Sequence, residues 1–399
     1  MKKILLLGGS NQQIPAIEQA KKQGYYTVLC DYLPENPGQH YADKFYCAST
    51  TDKEAILEVA QRERVDGIVA YASDPAAPAA AYVAVKMGLP ASPFKAVEVL
   101  TNKDKFRTFL AEHGFCTPKA GGYCTVGDAK KDLPNFKMPV MIKPVDSSGS
   151  KGVSILTGIG NLEEKVDYAL SFSRAKRFII EEYVAKYGYQ IAGDGFSVDG
   201  KLVFRCFAND HFNRNELNPF VPVSASFPCS MPERVQEKIH NEIQRLLILL
   251  DMRTGAYNFD IRLDHEGNVY LMEIGPRNGG NYIPQVIKYA TGVDLVEYTI
   301  KAAVGEDCSS LKMAEPRGYW SYYAVHSSRA GRLQEIKIDE RVKRDNIVEY
   351  HLNYRPGDDV PAFRGSNGTI GILIMKFSSM DEMLDLMDNS EKWIDVVVE

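Results

Sequence analysis

The stretch that decides the fold is GAYNFDIRLDHEGNVYLMEIGPRNGG, residues 255–280. Its first half alternates apolar and polar side chains on either side of Asp260, which is the period of a β-strand with one apolar face. The segment HEGN that follows has turn composition, and the next six residues predict a returning strand. A hairpin symmetric about Glu266–Gly267 places Asp260 directly opposite Glu273.

Two carboxylates facing each other across a hairpin repel, because opposed Cβ atoms lie about 4.5–5.5 Å apart. A cation between Asp260 and Glu273 would remove the repulsion. Mg²⁺ is the natural candidate, since proteins usually hold it with one or two carboxylates while water and substrate phosphates complete the shell. The alternative is an exposed hairpin whose two acids are simply solvated, and this stretch alone leaves both open.

The composition is that of an ordinary globular protein, with 399 residues, 45% hydrophobic and 25% charged. This length predicts two to four lobes. A formal net charge of −5 provides no broad basic field, which argues against a nucleic-acid partner. The seven scattered cysteines favour reduced thiols over disulfides or zinc. The apolar run Ile4 to Leu7 is too short for a leader or a membrane span, so we expect a cytoplasmic protein without a membrane partner.

The first 90 or so residues alternate strand and helix patterns, which predicts a parallel, doubly wound sheet. Gly8-Gly9-Ser10 follows the first strand but lacks the full glycine fingerprint of dinucleotide sites, which argues against a nicotinamide cofactor. Ligands of such sheets bind at the carboxyl ends of the strands, so Ser10, Ser73 and Asp74 are candidate substrate contacts. Ordinary strand-end loops are the alternative for each.

A loop of small residues, DSSGSKGV at 146–153, lies between two apolar strand patterns and follows Lys143-Pro144. Such a loop can fold over phosphates through its backbone N–H groups, with Lys151 as a point charge. It is not a Walker loop, because no helix opens with Gly-Lys-Ser/Thr, and a flexible hairpin is the alternative.

Other segments carry weaker signals. Residues 187–189 and 211–216, the latter including Arg214, have the character of loops that could close over a cleft. From Arg317 onward the pattern predicts strands without concentrated chemistry, and the loop Pro356 to Asn367 is expected to be mobile.

The order and spacing of these motifs resemble the ATP-grasp superfamily over nearly the whole chain. The resemblance is closest to the branch with biotin carboxylase, the carbamoyl-phosphate synthetase large subunit and the L-amino-acid ligases. It implies a mixed α/β and α+β fold, in which a Rossmann-like domain precedes a two-lobed ATP-grasp fold and a C-terminal cap. The expected ranges are a Rossmann-like domain (1–92), a connecting helix (93–115), a lid lobe (116–195), a metal-binding lobe (196–306) and the cap (307–399).

The resemblance also assigns nucleotide contacts to specific residues. Two lysines would neutralise phosphate charge, a glycine loop would cover the triphosphate, a hinge would read adenine, and one residue would hold the ribose. In that order, these are Lys103 and Lys143; Ser147, Ser148, Gly149, Lys151 and Gly152; Glu181, Glu182, Tyr183 and Val184; and Gln190.

The family's metal carboxylates correspond to Asp260 and Glu273, in agreement with the hairpin pairing. Arg277 corresponds to the arginine that stabilises the transferred phosphoryl group and the substrate carboxylate, and Gly280 is a further substrate contact. Three positions depart from the family pattern: Gly275 stands where asparagine is common, Gln190 where the ribose glutamate is common, and Asp260 where glutamate is common.

The expected protein is therefore an ATP- and Mg²⁺-dependent ligase that activates a carboxylate as an acyl phosphate and joins it to an amine, releasing ADP and phosphate. Its expected partners are these small-molecule substrates. The resemblance to the family also suggests a homodimer. Two alternatives stay open. One is a bicarbonate-using enzyme of the carboxylase or carbamoyl-phosphate type, and the other is a nucleotide-binding regulatory subunit without turnover.

Overall fold

The N-terminal domain is a parallel sheet with helices packed against it. The computed structural model describes residues 1–213 and 217–399. The sheet has the order β3-β2-β1-β4, and all its pairs are parallel. This confirms the doubly wound arrangement. Its elements are β1 (Lys3–Leu7), α1 (Ile14–Lys22), β2 (Tyr26–Asp31), β3 (Lys44–Cys47), α2 (Lys53–Glu63), β4 (Gly67–Val69) and α3 (Ala77–Met87).

Two helices, rather than the single connecting helix of the prediction, lead into a small antiparallel sheet that forms the lid lobe. The lid sheet has the order β5-β8-β6-β7. The elements are α4 (Phe94–Leu100), α5 (Lys103–Glu112), β5 (Ala120–Tyr123), α6 (Val126–Asp132), β6 (Val140–Pro144), β7 (Ser154–Leu156), α7 (Leu162–Ser171) and β8 (Phe178–Glu182).

A large sheet and a small sheet form the rest of the molecule, which comprises the cap and the lobe that the resemblance assigns to metal binding, here called the metal lobe. The metal lobe supplies β9 (Gln190–Val198), β10 (Lys201–Phe212), β11 (Pro222–Phe227), α8 (Glu233–Leu249), β12 (Gly255–Leu263), β13 (Val269–Gly275), α9 (Ile283–Thr291) and α10 (Leu295–Ala303). The cap supplies β14 (Tyr319–Val325), β15 (Gly331–Ile338), α11 (Glu340–Asp345), β16 (Ile347–Leu352), β17 (Asp359–Val360), β18 (Gly371–Phe377), α12 (Met380–Asp388) and β19 (Ile394–Val398).

The metal lobe and the cap share one eight-stranded sheet with the order β13-β12-β9-β10-β11-β14-β18-β16. The lobe boundary drawn at residue 195 falls inside β9, which belongs wholly to this sheet. The cap is therefore continuous with the metal lobe through the β11–β14 pair, and its remaining strands form a small sheet of order β17-β15-β19.

Helices cover both faces of the large sheet. Ile239, Ile243 and Leu246 of α8 pack on one face against Phe259, while α9 packs on the other face. Side chains alternate along β12, so Asp260 points away from the α8 core and towards the face that carries α9. Burial of apolar side chains on both faces fixes the direction in which the carboxylate points.

The hairpin register confirms the pairing of Asp260 with Glu273. Near the turn the pairing differs by one residue from that of a symmetric hairpin. Ile261 lies opposite Leu271, whereas a symmetric hairpin would place it opposite Met272. A bulge at Met272 inserts one extra residue into β13 and restores the predicted partners beyond it. The symmetry assumed from the sequence thus holds only on the far side of the bulge.

Two simpler expectations concern the cysteines and the helices. All seven cysteines are free thiols, and four of them are buried. Within residues 1–213 and 217–399, no helix is both long and apolar enough to cross a bilayer.

Candidate active site

The opposed carboxylates border a common cavity, which we call the carboxylate cavity. Asp260 and Glu273 both line it, together with Arg277. Oδ1 of Asp260 is buried and has no hydrogen-bond partner within residues 1–213 and 217–399. Burial raises the pKa of Asp260 to about 6; nearby Arg262 opposes this effect and Glu273 adds to it. A buried, unpartnered carboxylate oxygen beside a second carboxylate is suited to a hard cation.

The donor set around this pair is small. Among the described residues, no group of three or more His, Cys, Asp or Glu side chains is placed to hold a metal. An ion here would take at most two protein carboxylates, so water or phosphate oxygens would complete its shell, as is usual for Mg²⁺. Lys103 Nζ lies 3.2 Å from Glu273 Oε2 and donates to the carbonyl of Ser147 at 2.7 Å, so it already places a positive charge at the site.

Lys143 belongs to a buried ion cluster. The carboxylate of Glu181, only 1% exposed, pairs with Lys143 Nζ and with Arg107 Nε at 2.9 Å. Burial opposes ionisation of Glu181, but the two cations outweigh it and lower its pKa to about 2. Burial lowers the pKa of Lys143. Arg107 also donates to the carbonyls of Leu271 and Met272 on β13, so the cluster joins the lid lobe to the carboxylate hairpin.

Sequence reasoning missed Arg107, which occupies one face of the amphipathic helix α5 beside Phe106. The only available signal was a charged residue on an otherwise apolar helical face. Such residues are rarely buried unless they are paired, and the partner lies 74 positions away.

The hinge residues are held mainly within the protein. The carboxylate of Glu181 faces the ion cluster, and Glu182 Oε1 accepts from the backbone N–H of Lys137 at 2.8 Å. The carbonyl of Val184 accepts from Arg262 at 3.1 Å. Tyr183 borders a second cavity of about 710 Å³, which we call the hinge cavity. In this geometry both hinge carboxylates are engaged elsewhere, and a carboxylate contact to adenine stays a prediction.

Gln190 is also engaged at both ends of its amide. Its Nε2 donates to Asp210 at 3.1 Å, and its Oε1 accepts from Arg262 Nε at 2.7 Å. Burial, with the charge of Asp260 adding, raises the pKa of Asp210 to about 8. Gln190 nonetheless borders both the hinge cavity and the carboxylate cavity, so it lies at their junction.

The glycine loop is docked against the cap. Ser148, Gly149 and Ser150 line the carboxylate cavity. The carbonyl of Gly149 accepts from the backbone N–H of Ser366 at 3.0 Å, and Gly149 has a positive φ of 65°. A Cβ on Gly149 would lie 1.9 Å from Ser366 Oγ, so a side chain at this position would force Ser366 to move.

Lys151, a further predicted loop residue, lies beside Gly365 of the cap, where an added Cβ would come within 2.8 Å of Lys151 Cγ. Burial lowers the pKa of Lys151. Gly152, with φ of 73°, packs between Phe172 and Pro144, where an added Cβ would lie 3.2 Å from each.

The cap contributes more than the sequence suggested. Phe363, Ser366 and Thr369 line the carboxylate cavity, although the sequence predicted no concentrated chemistry in the C-terminal region. Asn218 Nδ2 donates to the carbonyls of Ser150 and Arg364, which ties the glycine loop to the cap. The proposed cleft loop at 211–216 lies partly outside the described residues, since Arg214 is not among them.

Arg277 is held by a carboxylate from the N-terminal domain. Its Nε donates to Asp74 Oδ1 at 2.8 Å, and its Nη2 donates to Asp74 Oδ2. Its Nη1 donates to the carbonyl of Asn278 at 2.9 Å. Neighbouring Gly275 makes room for this pair, because a Cβ there would lie 2.7 Å from Asp74 Oδ1. The departure from asparagine at this position thus has a steric reason in this chain.

The predicted substrate residues divide between two cavities. Asp74, Arg277 and Gly280 line the carboxylate cavity. Ser10 and Ser73 line a neighbouring cavity of about 480 Å³, which we call the junction cavity. Two candidates predicted from the same strand-end argument, Ser73 and Asp74, thus point to different compartments although they are adjacent in sequence.

Comparison with known proteins identifies the class. Residues 136–285 match the ATP-grasp domain, and residues 324–399 match the L-amino acid ligase C-terminal domain 2. The chain therefore contains an ATP-grasp domain, followed by a C-terminal domain of the L-amino acid ligase type.

Individual relatives are more distant. The uncharacterized protein y4rH of Sinorhizobium fredii is 27% identical over 68% of this chain and 56% of its own length. The carbamoyl phosphate synthase large chain of Thermotoga petrophila is 24% identical over 88% of this chain and 32% of its own length. The chain thus spans about a third of the length of one of these curated relatives and somewhat over half of the length of the other.

Solved structures agree on the fold. The L-amino acid ligase of Bacillus licheniformis has a TM-score of 0.81 at 20% identity, covering 100% of this chain and 99% of that chain. The biotin carboxylase domain of Hydrogenobacter thermophilus 2-oxoglutarate carboxylase, in complex with MgADP and bicarbonate, has a TM-score of 0.75 at 17% identity, covering 100% and 91% of the two chains.

Proposed function

We propose that the chain is an ATP- and Mg²⁺-dependent ligase that activates a carboxylate as an acyl phosphate and joins it to an amine. The observation that carries this proposal is the pairing of Asp260 with Glu273 in the cavity that also contains Arg277. The buried Oδ1 of Asp260 has no hydrogen-bond partner among the described residues. These residues suit a cation and an anionic substrate in one compartment.

The nucleotide would occupy the hinge and carboxylate cavities together. Gln190, Asp210 and Phe220 border both, so one elongated molecule can extend from Tyr183 to the carboxylates. Its base and ribose would lie in the hinge cavity, and its phosphates would lie beneath the glycine loop beside Lys103. The backbone of Ser147 to Gly152 would donate to the phosphate oxygens.

The metal would be held by Asp260 and Glu273. When bound, Mg²⁺ supplies positive charge that offsets the charge developing on the transferred phosphoryl group. Lys103 would then exchange its contact with Glu273 for a phosphate oxygen, since the ammonium group reaches the same space. Proximity and electrostatics, rather than covalent chemistry by the protein, carry the reaction.

Arg277 would orient the acid substrate. A guanidinium has five N–H donors, and within the described part of the chain Arg277 makes three hydrogen bonds, so two donors are available for a carboxylate or phosphoryl oxygen. The bidentate contact with Asp74 fixes the plane of the guanidinium. Asp74 therefore acts as a positioning residue.

The reaction balances in two displacements. A carboxylate oxygen attacks the γ-phosphorus, the bond to the β-γ bridging oxygen breaks, and ADP leaves. The amine nitrogen then attacks the acyl carbon, the bond from carbon to the phosphate oxygen breaks, and phosphate leaves as the nitrogen loses its proton to solvent.

The test is a matched pair of variants on one hairpin. Glu273→Ala should abolish ADP formation with every acid and amine in a phosphate-release panel, whereas Glu266→Ala at the exposed turn should retain it. Turnover in Glu273→Ala equal to that of the parent would rule out the assigned metal site. Labelled bicarbonate in the same panel separates a carboxylase from an amide-forming ligase.

A further inference from the structure

A small cavity adjoins Arg277 between helix α3 of the N-terminal domain and the metal lobe. We call it the alanine cavity, because four alanines of α3 line it: Ala77, Ala80, Ala81 and Ala84. Residues of β12 and α10 line it from the metal lobe. Among the described residues, Arg277 is the one that borders both this cavity and the carboxylate cavity. A molecule in the alanine cavity would therefore lie next to the acid site without occupying it.

The alanine cavity is small and mostly apolar. Its volume is about 120 Å³, and an apolar cavity of roughly 150 Å³ is large enough to bind benzene. Among its described lining residues, the one charged side chain is that of Arg277, which is paired with Asp74. Pro90, in the linker between α3 and α4, borders the cavity and is exposed, so a molecule can enter from that side. The lining suits a small, uncharged molecule.

A buried amide at this cavity has an unpaired atom. Asn278 is buried and borders the cavity, and its Nδ2 makes no hydrogen bond with the described residues. Its Oδ1 lies 2.8 Å from Thr299 Oγ1, and the same hydroxyl lies 2.8 Å from the carbonyl of Leu295. Because a hydroxyl has one hydrogen, turning the amide round to donate to Thr299 would leave its oxygen unpaired instead. A ligand hydroxyl both donates and accepts, so it satisfies the amide in either orientation.

Helix α3 connects the alanine cavity to the acid site. The backbone N–H of Ala77, at the start of α3, donates to the carbonyls of Ser73 and Asp74 at 3.2 Å each. Asp74 in turn accepts two hydrogen bonds from Arg277. The position of α3 against β12 therefore determines where Asp74 lies, and Asp74 orients Arg277. A molecule packed between α3 and β12 would stabilise this arrangement.

We propose that the alanine cavity binds an effector, and that the bound effector strengthens binding of the acid at Arg277. The effector is a small, uncharged molecule with one hydroxyl group and about five or six non-hydrogen atoms, judged from the cavity volume. Its hydroxyl would bond to the Asn278 amide, and its apolar part would lie against α3. The coupling rests on the proposed function, whereas occupancy of the cavity is measured without turnover.

Cyclopentanol has the required size and a single hydroxyl, and it serves as the probe. Its dissociation constant for the whole chain is measured by ligand-detected NMR. Ala81→Leu and Ala80→Val should each raise this constant, the first about tenfold or more, because the added carbons occupy the cavity. Asn278→Leu should also raise it, because the hydroxyl loses its partner. Val85→Leu, at an exposed position of α3 that does not border the cavity, should leave it unchanged.

The coupling is tested with an acid identified in the phosphate-release panel. Saturating acid should lower the dissociation constant of cyclopentanol about fivefold, and by linkage cyclopentanol should lower that of the acid, measured by calorimetry, by the same factor. In Asp74→Asn, cyclopentanol should bind as it does to the parent, but its affinity should no longer respond to the acid. This variant separates a contact through Asp74 from general stabilisation of the fold.

Equal cyclopentanol binding in the parent, Ala81→Leu and Ala80→Val, or no binding to the parent, would overturn the site. A crystal structure in which cyclopentanol leaves an ordered water on the Asn278 amide would overturn it as well. An affinity for cyclopentanol that does not change with acid would overturn the coupling. Absence of ADP formation with every acid and amine would overturn the ligase function and the coupling, while NMR binding that is lost in Ala81→Leu would still support the site.

Discussion

Asn in place of Asp260 should stabilise the metal-free protein while removing its response to magnesium nucleotide. Burial raises the pKa of this carboxyl from 3.8 to about 6. The folded state therefore holds the proton more tightly than the unfolded chain, so the stabilising contribution is complete below about pH 4 and is lost as the pH rises through 6. At pH 7 the buried charge costs about 3 kcal/mol, since each pKa unit corresponds to about 1.4 kcal/mol.

Asp260→Asn removes this charge with little change of shape. We expect its free energy of unfolding at pH 7, measured by urea denaturation in EDTA, to exceed that of the parent by up to about 3 kcal/mol. The difference should shrink between pH 6 and pH 4, where the parent carboxyl takes up its proton. MgADP should raise the melting temperature of the parent and leave that of Asp260→Asn unchanged.

Asp264, four residues further along the same hairpin, provides a control, because its replacement by Asn is expected to have the opposite effect on stability. Burial opposes its ionisation, but hydrogen bonds from Asn268 and Glu266 outweigh burial and lower its pKa. Asp264→Asn should therefore lower stability at pH 7, with the loss fading as the pH falls. The reasoning is refuted if Asp260→Asn is no more stable than the parent at pH 7, or if MgADP raises its melting temperature as much as that of the parent.

Three further variants examine the contacts between lobes. Asp74→Asn should lower kcat/KM for the acid about 100-fold by misorienting Arg277, and an unchanged value in phosphate-release kinetics would contradict the positioning role. Glu181→Gln should lower the free energy of unfolding by about 3–5 kcal/mol in denaturant titrations, because it leaves two cations unpaired in a buried site. Gly149→Ala should weaken ATP binding, measured by calorimetry, because the added methyl group forces the loop away from Ser366. Adding Ser366→Gly in a double variant should restore part of the affinity. Equal affinity in the parent and in Gly149→Ala would contradict a role of the docked loop in ATP binding.

Local sequence pattern was sufficient for the elements that bear the site. The alternation around Asp260 and the turn at Glu266–Gly267 predicted the hairpin, and the opposed carboxylates follow from its register. The helix after Asn102 and the glycine loop before β7 were likewise recognisable. These features depend on contacts between near neighbours in the chain, which periodicity and turn composition report directly.

Local sequence pattern could not predict which distant residues form ion pairs with each other. Nothing near Glu181 indicates that Arg107 neutralises it, and nothing near Arg277 indicates Asp74, because these partners lie 74 and 203 residues apart. The contact between Ser366 and Gly149 also joins distant segments, so local pattern could not predict that this cap loop lines the carboxylate cavity.

By itself, then, the sequence determined the hairpin and the pairing of its two acids. Through its resemblance to a superfamily, it also predicted which lysines and which arginine contact the nucleotide and the substrate. The tertiary structure alone decided which charges neutralise one another, which carboxylate oxygen is left without a partner, and how the N-terminal domain and cap complete the cavities. The physical reason is that strand and turn preferences act over a few residues, whereas burial and ion pairing depend on which distant surfaces meet when the lobes pack.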